Sequence, residues 1–326
     1  MTQPQINHRV LIVIGPGRSG TSALTRGLAA LGADLGDNLK PATPKNARGY
    51  FEDLDILDLN HRLQQAFGLN SNGSSLTLLE DNAWRAVDLK PFQEQLAAIV
   101  QQRFADKPLW AFKSGGVMRL LPFWEQTLSG LGIDISYVLA IRNPLNVASS
   151  RAKLNAIRGA QERTDLEWLV RVVPYFRHVL ARPMVVVDYD QLMTDAGHEL
   201  RRIARRFAID IDNALEAEIA QYSHEFLRAD LRHNRADLSA FAENSQVNPL
   251  TRDAYLWLNK LATDQIDTND RLFLADWARI EQGLELYRPL LKHIDALDSQ
   301  IKGPRWGVGG FWQTAKNYLP LPVLAR

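Results

Sequence analysis

The sequence predicts an α/β protein with a central parallel sheet and helices on both of its faces. Four short apolar runs are typical of buried parallel strands, and stretches with helical spacing separate them. The runs are Arg9 to Ile14, Leu109 to Phe112, Ile135 to Ile141 and Met184 to Val187. Strands that alternate with helices favour right-handed crossovers, so we expect a three-layer α/β/α core.

The intervening segments predict the helices of this core. Apolar spacing indicates helices over Ala23 to Leu31, Phe92 to Phe104, Pro144 to Ile157 and Leu166 to Leu180, and a further helix around the stripe of Leu200, Ile203, Ala204 and Phe207. From about residue 213 onward the pattern is helical and amphipathic without strand runs. We therefore predict one domain over 1–326, with a core of about 8–210 and a helical C-terminal cap and tail over 211–326.

Composition bounds the class of protein. The chain has 326 residues, of which 46% are hydrophobic and 23% charged, which is typical of a globular protein. The formal net charge of +1 provides no general field for nucleic acid. The absence of cysteine excludes disulfides, thiolate metal sites and a cysteine nucleophile. No signal-like segment and no membrane-spanning apolar run are found, so a cytoplasmic protein is expected.

A glycine-rich segment, Gly15 to Ser22, stands between the first strand and the first helix. Glycines let backbone N–H groups approach an anion, and a helix start adds unpaired donors and the positive end of the helix dipole. This strand, turn and helix together predict a phosphate or sulfate site. The spacing Gly15 to Gly20 fits the nucleotide-binding P-loop, but Thr21 stands where an ATPase or kinase carries lysine, and the loop's cation is Arg18.

The same glycines also satisfy the dinucleotide-binding pattern G-x-G-x-x-G. That fold requires a second apolar strand ending in an acidic residue about 20 positions further on. The segment Gly32 to Asn38 is instead polar and broken by glycines. The dinucleotide reading is therefore disfavoured.

Each predicted strand is followed by polar residues suited to ligand binding. Arg18 follows the first strand, Lys113 the second, Arg142 the third, and the triplet Asp188-Tyr189-Asp190 the fourth. Because ligands of open parallel sheets bind beyond the carboxyl ends of the strands, these cations are expected to converge on a substrate with several phosphate or sulfate groups. The alternative is a set of solvated charges at strand ends.

At these positions the chain resembles the sulfotransferases that use 3′-phosphoadenosine 5′-phosphosulfate (PAPS) as donor. The segment Arg18 to Ser22 is similar to their 5′-phosphosulfate loop, and Arg142 with Ser150 eight residues later is similar to their 3′-phosphate motif. The stretch Val187 to Asp195 is similar to a third family segment, whose tyrosine, here Tyr189, lies near the adenine. The matches are ordered as in the family over about residues 9–210.

The resemblance implies a P-loop-like fold, PAPS as donor co-substrate and no metal. The donor-binding residues that it implies are Gly17, Arg18, Ser19, Gly20, Thr21, Ser22, Arg142, Ser150 and Tyr189. Arg18, the cation of the 5′-phosphosulfate loop, is similar to the arginine that several carbohydrate-directed and bacterial branches have at this position. Gly115 stands where the cytosolic branch has its catalytic histidine.

The predicted general base is Glu52, because carbohydrate-directed and bacterial relatives often use a glutamate after the first helix. Asp53 and His61 are the reserves, and the alternative role for Glu52 and Asp53 is to favour a helix N-terminus. Arg18 and Lys113 are predicted to stabilise charge on the departing oxygen. The catalytic set is thus Arg18, Glu52 and Lys113, transferring a sulfuryl group to a hydroxyl or amine.

The acceptor stays open, with a glycan or small metabolite expected. The tryptophans at 84, 110, 124 and 168 are candidates for a sugar-stacking face, with core packing as the alternative. The segment Lys302 to Gly310 resembles a 3′-phosphate segment of cytosolic members, although its spacing and residues differ; the alternative is a flexible tail docked through Trp306 and Trp312. The runner-up function is an ATP and Mg²⁺-dependent kinase or NTPase in which Asp188 and Ser22 bind the metal. The third is a binding module without catalysis.

Overall fold

The sheet has the strand order β2-β1-β3-β4, all parallel, in the computed structural model, which describes residues 8–43, 46, 48–70, 73–227 and 237–302. The strands are β1 (Arg9–Ile14), β2 (Leu109–Lys113), β3 (Asp134–Ile141) and β4 (Met184–Asp188). Each lies within one residue of its predicted bounds. The apolar runs were sufficient to predict the strand bounds because a parallel strand that is covered on both faces is apolar throughout.

Helices fill the connections between strands and form the C-terminal region. They are α1 (Thr21–Ala29), α2 (Leu54–Ala66), α3 (Asp81–Ala86), α4 (Lys90–Arg103), α5 (Leu121–Gly130), α6 (Pro144–Ala152), α7 (Ala156–Gly159), α8 (Gln161–Val172), α9 (Phe176–Leu180), α10 (Tyr189–Thr194), α11 (Ala196–Arg206), α12 (Asn213–Gln221), α13 (Leu238–Ala242), α14 (Pro249–Ala262) and α15 (Arg271–Lys302).

Two predicted helices are interrupted, which corrects the prediction. The helix expected over Pro144 to Ile157 ends at Ala152, and α7 begins after Asn155, whose side chain accepts a hydrogen bond from the N–H of Arg158. The helix expected over Leu166 to Leu180 is broken by a 3₁₀ turn around Pro174, which has no N–H to donate to the preceding turn. Local capping and proline chemistry overrode the apolar periodicity.

Alternate residues of the strands support two separate apolar layers, which confirms the predicted α/β/α architecture. Ile12 and its neighbours on one face pack in a cluster with residues of α2, α4, α5 and α8. Leu11 and Val13 on the other face pack with α1, α11 and α12. The two layers fix the carboxyl ends of the strands, where the loop after β1 and the start of α1 lie.

The C-terminal helices extend the first of these layers. Tyr255 of α14 and Phe273 and Trp277 of α15 belong to the same cluster as the α2 face of the sheet. Between 213 and 302 the described residues form helices and no strand, as predicted. The segment Lys302 to Gly310 lies, apart from its first backbone position, outside the described residues. No helix in the described ranges is both long and apolar enough to cross a bilayer.

Three of the four tryptophans considered for sugar stacking serve core packing instead. Trp110, Trp124 and Trp168 are fully buried in the first layer. Trp84 is half-buried, with its ring centroid 4.4 Å from that of Phe67. Core packing, the alternative reading of these residues, therefore accounts for three of the four.

Candidate functional site

The loop between β1 and α1 depends on backbone conformations that favour glycine. Gly15 has φ of +141°, and a Cβ there would lie 2.3 Å from the carbonyl oxygen of Ala140 on β3. Gly20 has φ of +82°, and a Cβ there would lie 2.1 Å from Cδ2 of Tyr189. Arg18 itself is left-handed, with φ of +73°. The glycines thus let the loop pack against β3 and Tyr189 while it presents an arginine.

The start of α1 offers donors to an anion. Its first intrahelical bond runs from the N–H of Leu24 to the carbonyl of Gly20, and the preceding N–H groups have no partner within the helix. The hydroxyl of Ser19 is buried and finds no hydrogen-bond partner among the described residues. A buried polar atom without a partner costs free energy unless a ligand satisfies it.

Four of the predicted donor-binding residues meet beside this helix start. The Nε of Arg18 donates to the Oγ of Ser150 at 3.0 Å, and Nη1 of Arg142 donates to the carbonyl of Arg18 at 3.3 Å. The Cζ of Arg142 lies 4.4 Å from the ring centroid of Tyr189. The sequence did not predict that Ser150 contacts Arg18. We expected the hydroxyl of Ser150 to bind the same phosphate as Arg142.

The electrostatics of this group favour a bound anion. Among the described residues, neither Arg18 nor Arg142 has a carboxylate oxygen within 4.0 Å, and the Nε of Arg142 is buried without a partner. Burial and the nearby Arg142 both lower the pKa of Arg18. Two adjacent guanidinium groups without a counterion are costly unless an anion compensates them.

A pocket of about 330 Å³ opens on the loop side of this group. It is lined by Gly17, Arg18, Thr21, Ser22, Asn46, Tyr50, Glu52, Lys113, Arg119, Leu154 and Arg171, among others. The pocket therefore joins the loop to Glu52 and Lys113. His61, a reserve candidate for the base, is not part of its lining.

Glu52 and Lys113 form a buried ion pair in the pocket wall. The Nζ of Lys113 donates to Oε1 of Glu52 at 2.8 Å, and Lys40 Nζ lies 3.6 Å from Oε2. Burial lowers the pKa of Lys113, and the Glu52 carboxylate opposes that shift. Phe51, immediately before Glu52, has φ of +52°, a left-handed conformation that L residues seldom adopt outside functional or tightly constrained segments. The backbone thus turns sharply at Phe51, immediately before Glu52 places its carboxylate in the pocket wall.

Asp53 has a different role from its neighbour. Its Oδ1 caps α2 by accepting from the N–H groups of Asp55 and Ile56, and its carboxylate is paired with Arg103. The helix-terminus reading therefore holds for Asp53. The carboxylate of Glu52 instead pairs with Lys113 in the pocket wall and with Lys40, which lies outside the pocket lining.

Asp188, the metal ligand of the runner-up reading, is committed to structural contacts. Its Oδ1 caps α10 through the N–H groups of Asp190 and Gln191, and its Oδ2 accepts from the hydroxyl of Tyr255 at 3.0 Å. Burial, followed by the nearby Asp190, raises the pKa of Asp188 to about 6. These contacts leave Asp188 poorly suited to bind Mg²⁺.

Sequence reasoning missed Arg119 and Arg171 in the pocket wall. On α8, Arg163, Glu167 and Arg171 recur every four residues, a spacing that normally indicates a solvated, ion-paired face. In the structure this face is turned inward, as the full burial of Glu167 shows. The inward orientation depends on the packing of α8 against the rest of the fold.

The chain is similar to sulfotransferase domains of known structure. The sulfotransferase domain of the Synechococcus olefin synthase shares 20% identity over 86% of this chain and 94% of that one, with a TM-score of 0.41. The Mycobacterium avium sulfotransferase STF9 shares 17% over 81% and 77%, with a TM-score of 0.44. The Mycobacterium tuberculosis sulfotransferase STF1 shares 16% over 67% and 72%, with a TM-score of 0.42. No protein-family model and no curated protein matches the chain.

Proposed function

We propose that this protein transfers a sulfuryl group from PAPS to a hydroxyl or amine of an acceptor, a glycan or a small metabolite. The observation that supports it is the meeting of Arg18, Arg142 and Ser150 beside the start of α1, with no carboxylate within 4.0 Å of either guanidinium among the described residues. A ligand with several anionic groups compensates both charges.

The residues of this site fit the donor's two ends. The buried hydroxyl of Ser19, which has no partner among the described residues, and the N–H groups of the first turn of α1 suit the 5′-phosphosulfate. Arg142 and Ser150 would hold the 3′-phosphate, and the ring of Tyr189 offers a face for the adenine. PAPS, when bound, supplies the activated sulfuryl group.

Glu52 and Lys113 divide the remaining chemistry. As the acceptor oxygen forms its bond to sulfur, its proton passes to the Glu52 carboxylate, and the bond between sulfur and the phosphate oxygen breaks. Negative charge that grows on that phosphate oxygen is stabilised by Arg18, Lys113 and the N–H groups of the loop. Lys113 lies 2.8 Å from Glu52, so proton acceptance and charge stabilisation occur side by side.

Two other functions predict different ligands. A P-loop kinase or NTPase requires ATP with Mg²⁺, and the loop lacks that class's lysine while Asp188 is engaged by Tyr255 and the α10 cap. A binding module without catalysis would take up the donor and transfer nothing.

The test is calorimetry with adenosine 3′,5′-bisphosphate in EDTA, beside ATP with Mg²⁺. We expect the bisphosphate to bind and Arg18→Ala to lose that binding while it stays folded by circular dichroism. Labelled PAPS is then incubated with acceptor mixtures, and products are read by their mass gain. Binding of ATP with Mg²⁺ in preference to the bisphosphate would overturn the proposal, and donor binding without transfer to any acceptor would favour the binding module.

A further inference from the structure

An unusual group of five arginines lies beside the pocket, here termed the arginine cluster. Its members are Arg119, Arg151, Arg158, Arg163 and Arg171. Glu167 receives ion pairs from Arg151, Arg158 and Arg163, and Asp298 pairs with Arg163. Within the described ranges these are the only two carboxylates that pair with the cluster, so positive charge is in excess.

The excess is concentrated on the two members that line the pocket. Neither Arg119 nor Arg171 has a carboxylate within 4.0 Å in the described part of the chain. Arg171 donates to the carbonyl of Gly73, and Arg119 to the carbonyls of Ser75 and Thr77. Arg119 is only 3% exposed, and its Nε has no hydrogen-bond partner among the residues that the structure describes. Carbonyl oxygens satisfy N–H groups but do not neutralise the charges of the buried Arg119 and the half-buried Arg171.

The cluster lies directly against the anion-binding loop. A Cβ placed on Gly17 would be 3.6 Å from Nη1 of Arg171 and 3.8 Å from Nη2 of Arg151. Burial, followed by repulsion from Arg151, lowers the pKa of Arg171 to about 9, which still leaves it charged at neutral pH. The same pocket contains Glu52. An acceptor that reaches Glu52 therefore meets these guanidinium groups.

We propose that Arg171 and Arg119 bind an oxyanion group, a carboxylate, phosphate or sulfate, carried by the acceptor itself, so that the enzyme selects anionic acceptors. This proposal rests on the proposed sulfuryl transfer for its meaning, but the anion site can be measured separately. The competing explanation is that the arginines only clamp the segment 73–77.

The first experiment titrates inorganic phosphate, sulfate and acetate into protein saturated with adenosine 3′,5′-bisphosphate, by calorimetry. We expect one equivalent of at least one of these anions to bind. Arg171→Gln is expected to weaken that binding at least tenfold while the bisphosphate affinity changes less than twofold. The matched control is Arg177→Gln, an exposed arginine paired with Glu281 away from the pocket, which should bind the anion as the unaltered protein does.

A second measurement does not depend on a folded variant. Crystals of the unaltered protein with the bisphosphate are soaked in selenate, and an anomalous peak within 4 Å of the Arg171 guanidinium is expected. Failure of all three anions to bind, binding that survives Arg171→Gln, or a selenate peak confined to Arg18 overturns the anion site. If the bisphosphate itself does not bind, the sulfuryl-transfer proposal fails, and the same anions titrated without it still decide whether the arginine cluster is an anion site.

Discussion

The Nζ of Lys113 donates to Oε1 of Glu52 at 2.8 Å, although 61 positions separate the two residues in the chain. The end of β2 delivers the lysine, and the turn before α2 delivers the glutamate. Both side chains are almost fully buried, with exposures of 8% and 11%. The proposed base and one of the proposed charge-stabilising groups therefore form one buried ion pair. Removal of Glu52 would leave the charge of Lys113 without its nearest counterion, whereas removal of Lys113 would leave Glu52 with Lys40 alone.

Removal of the carboxylate charge should slow the proposed transfer strongly without affecting donor binding. In Glu52→Gln the amide cannot take up the acceptor's proton, and general-base catalysis contributes about 10²–10⁴-fold to rates. The bisphosphate affinity should stay within twofold, because Arg142 and Ser150 lie on other elements. The measurements are kcat with labelled PAPS and calorimetry. Glu94→Gln, an exposed residue of α4, is the control, and a Glu52→Gln enzyme with more than a tenth of the original kcat would contradict the assignment.

The ion pair should also couple the stabilities of its two members. Glu52→Leu leaves the buried Lys113 without its nearest counterion, and loss of one partner of a buried pair costs about 3–5 kcal/mol. Glu52→Leu combined with Lys113→Met removes both charges and should recover most of that loss. Urea unfolding of both single variants and the double variant measures the coupling. Strictly additive losses would show that the two charges do not interact in the folded protein.

The sheet could be predicted from the sequence because its signal is local. β1 and β3 are continuous apolar runs. Their apolar side chains are buried on both faces of the sheet, and the same side chains make the strands recognisable in the sequence. That the cations after the strands lie near one another could also be predicted, since the carboxyl ends of parallel strands meet at one edge of the sheet. Glu52 was predicted only through a family resemblance.

The rest depended on long-range geometry. The spacing of Arg163, Glu167 and Arg171 is the same whether that face of α8 meets water or protein, and only the packed fold shows that Glu167 is buried. The contact between Arg18 and Ser150 spans 132 positions and depends on how α6 lies over the loop. The helix breaks at Asn155 and Pro174 were readable in principle, because capping asparagine and interior proline are local signals.

Ser150 and its neighbour Ser149 provide a matched pair of variants that tests the proposed contact with a 3′-phosphate. Ser150 is buried against Arg18, whereas Ser149 is exposed on the same helix. Hydrogen bonds to charged groups contribute about 1.5–3 kcal/mol, so Ser150→Ala should weaken adenosine 3′,5′-bisphosphate binding about tenfold or more. Adenosine 5′-phosphate, which lacks the 3′-phosphate, should lose less than threefold. Calorimetry with both nucleotides decides it, and an equal loss for both, or for Ser149→Ala, would rule against this assignment.

Gly20 should tolerate no side chain. Alanine there would occupy a left-handed conformation and place its Cβ 2.1 Å from the ring of Tyr189, so we expect a loss of about 2 kcal/mol or more in the free energy of unfolding. Gly130→Ala is the control, since Gly130 ends α5 with open space around it and should change stability by less than about 1 kcal/mol. Urea unfolding of both variants is the measurement. Equal effects would mean that the loop yields to a side chain.

Asp188 should make stability depend on pH in a defined window. Its pKa is about 6 in the folded protein against 3.8 for the ordinary side chain, so the folded state binds the proton more tightly. The stabilisation from that proton is complete below pH 3.8 and is lost as the pH rises through 6. Asp188→Asn keeps an oxygen for the α10 cap and an amide for the Tyr255 hydroxyl, and it has no charge to bury.

The variant should therefore match the unaltered protein most closely near pH 4 and exceed its stability by about 3 kcal/mol at pH 7, from about 1.4 kcal/mol for each pKa unit. Urea unfolding at pH 4, 5.5 and 7 traces the divergence, and the comparison at pH 4 isolates any effect of the amide itself. A constant difference across the three pH values would mean that Asp188 titrates alike in the folded and unfolded chain. Burial at the end of β4 would then not destabilise the charged form of Asp188. The hydroxyl of Tyr255 would donate to a carboxylate that stays ionised over the whole range.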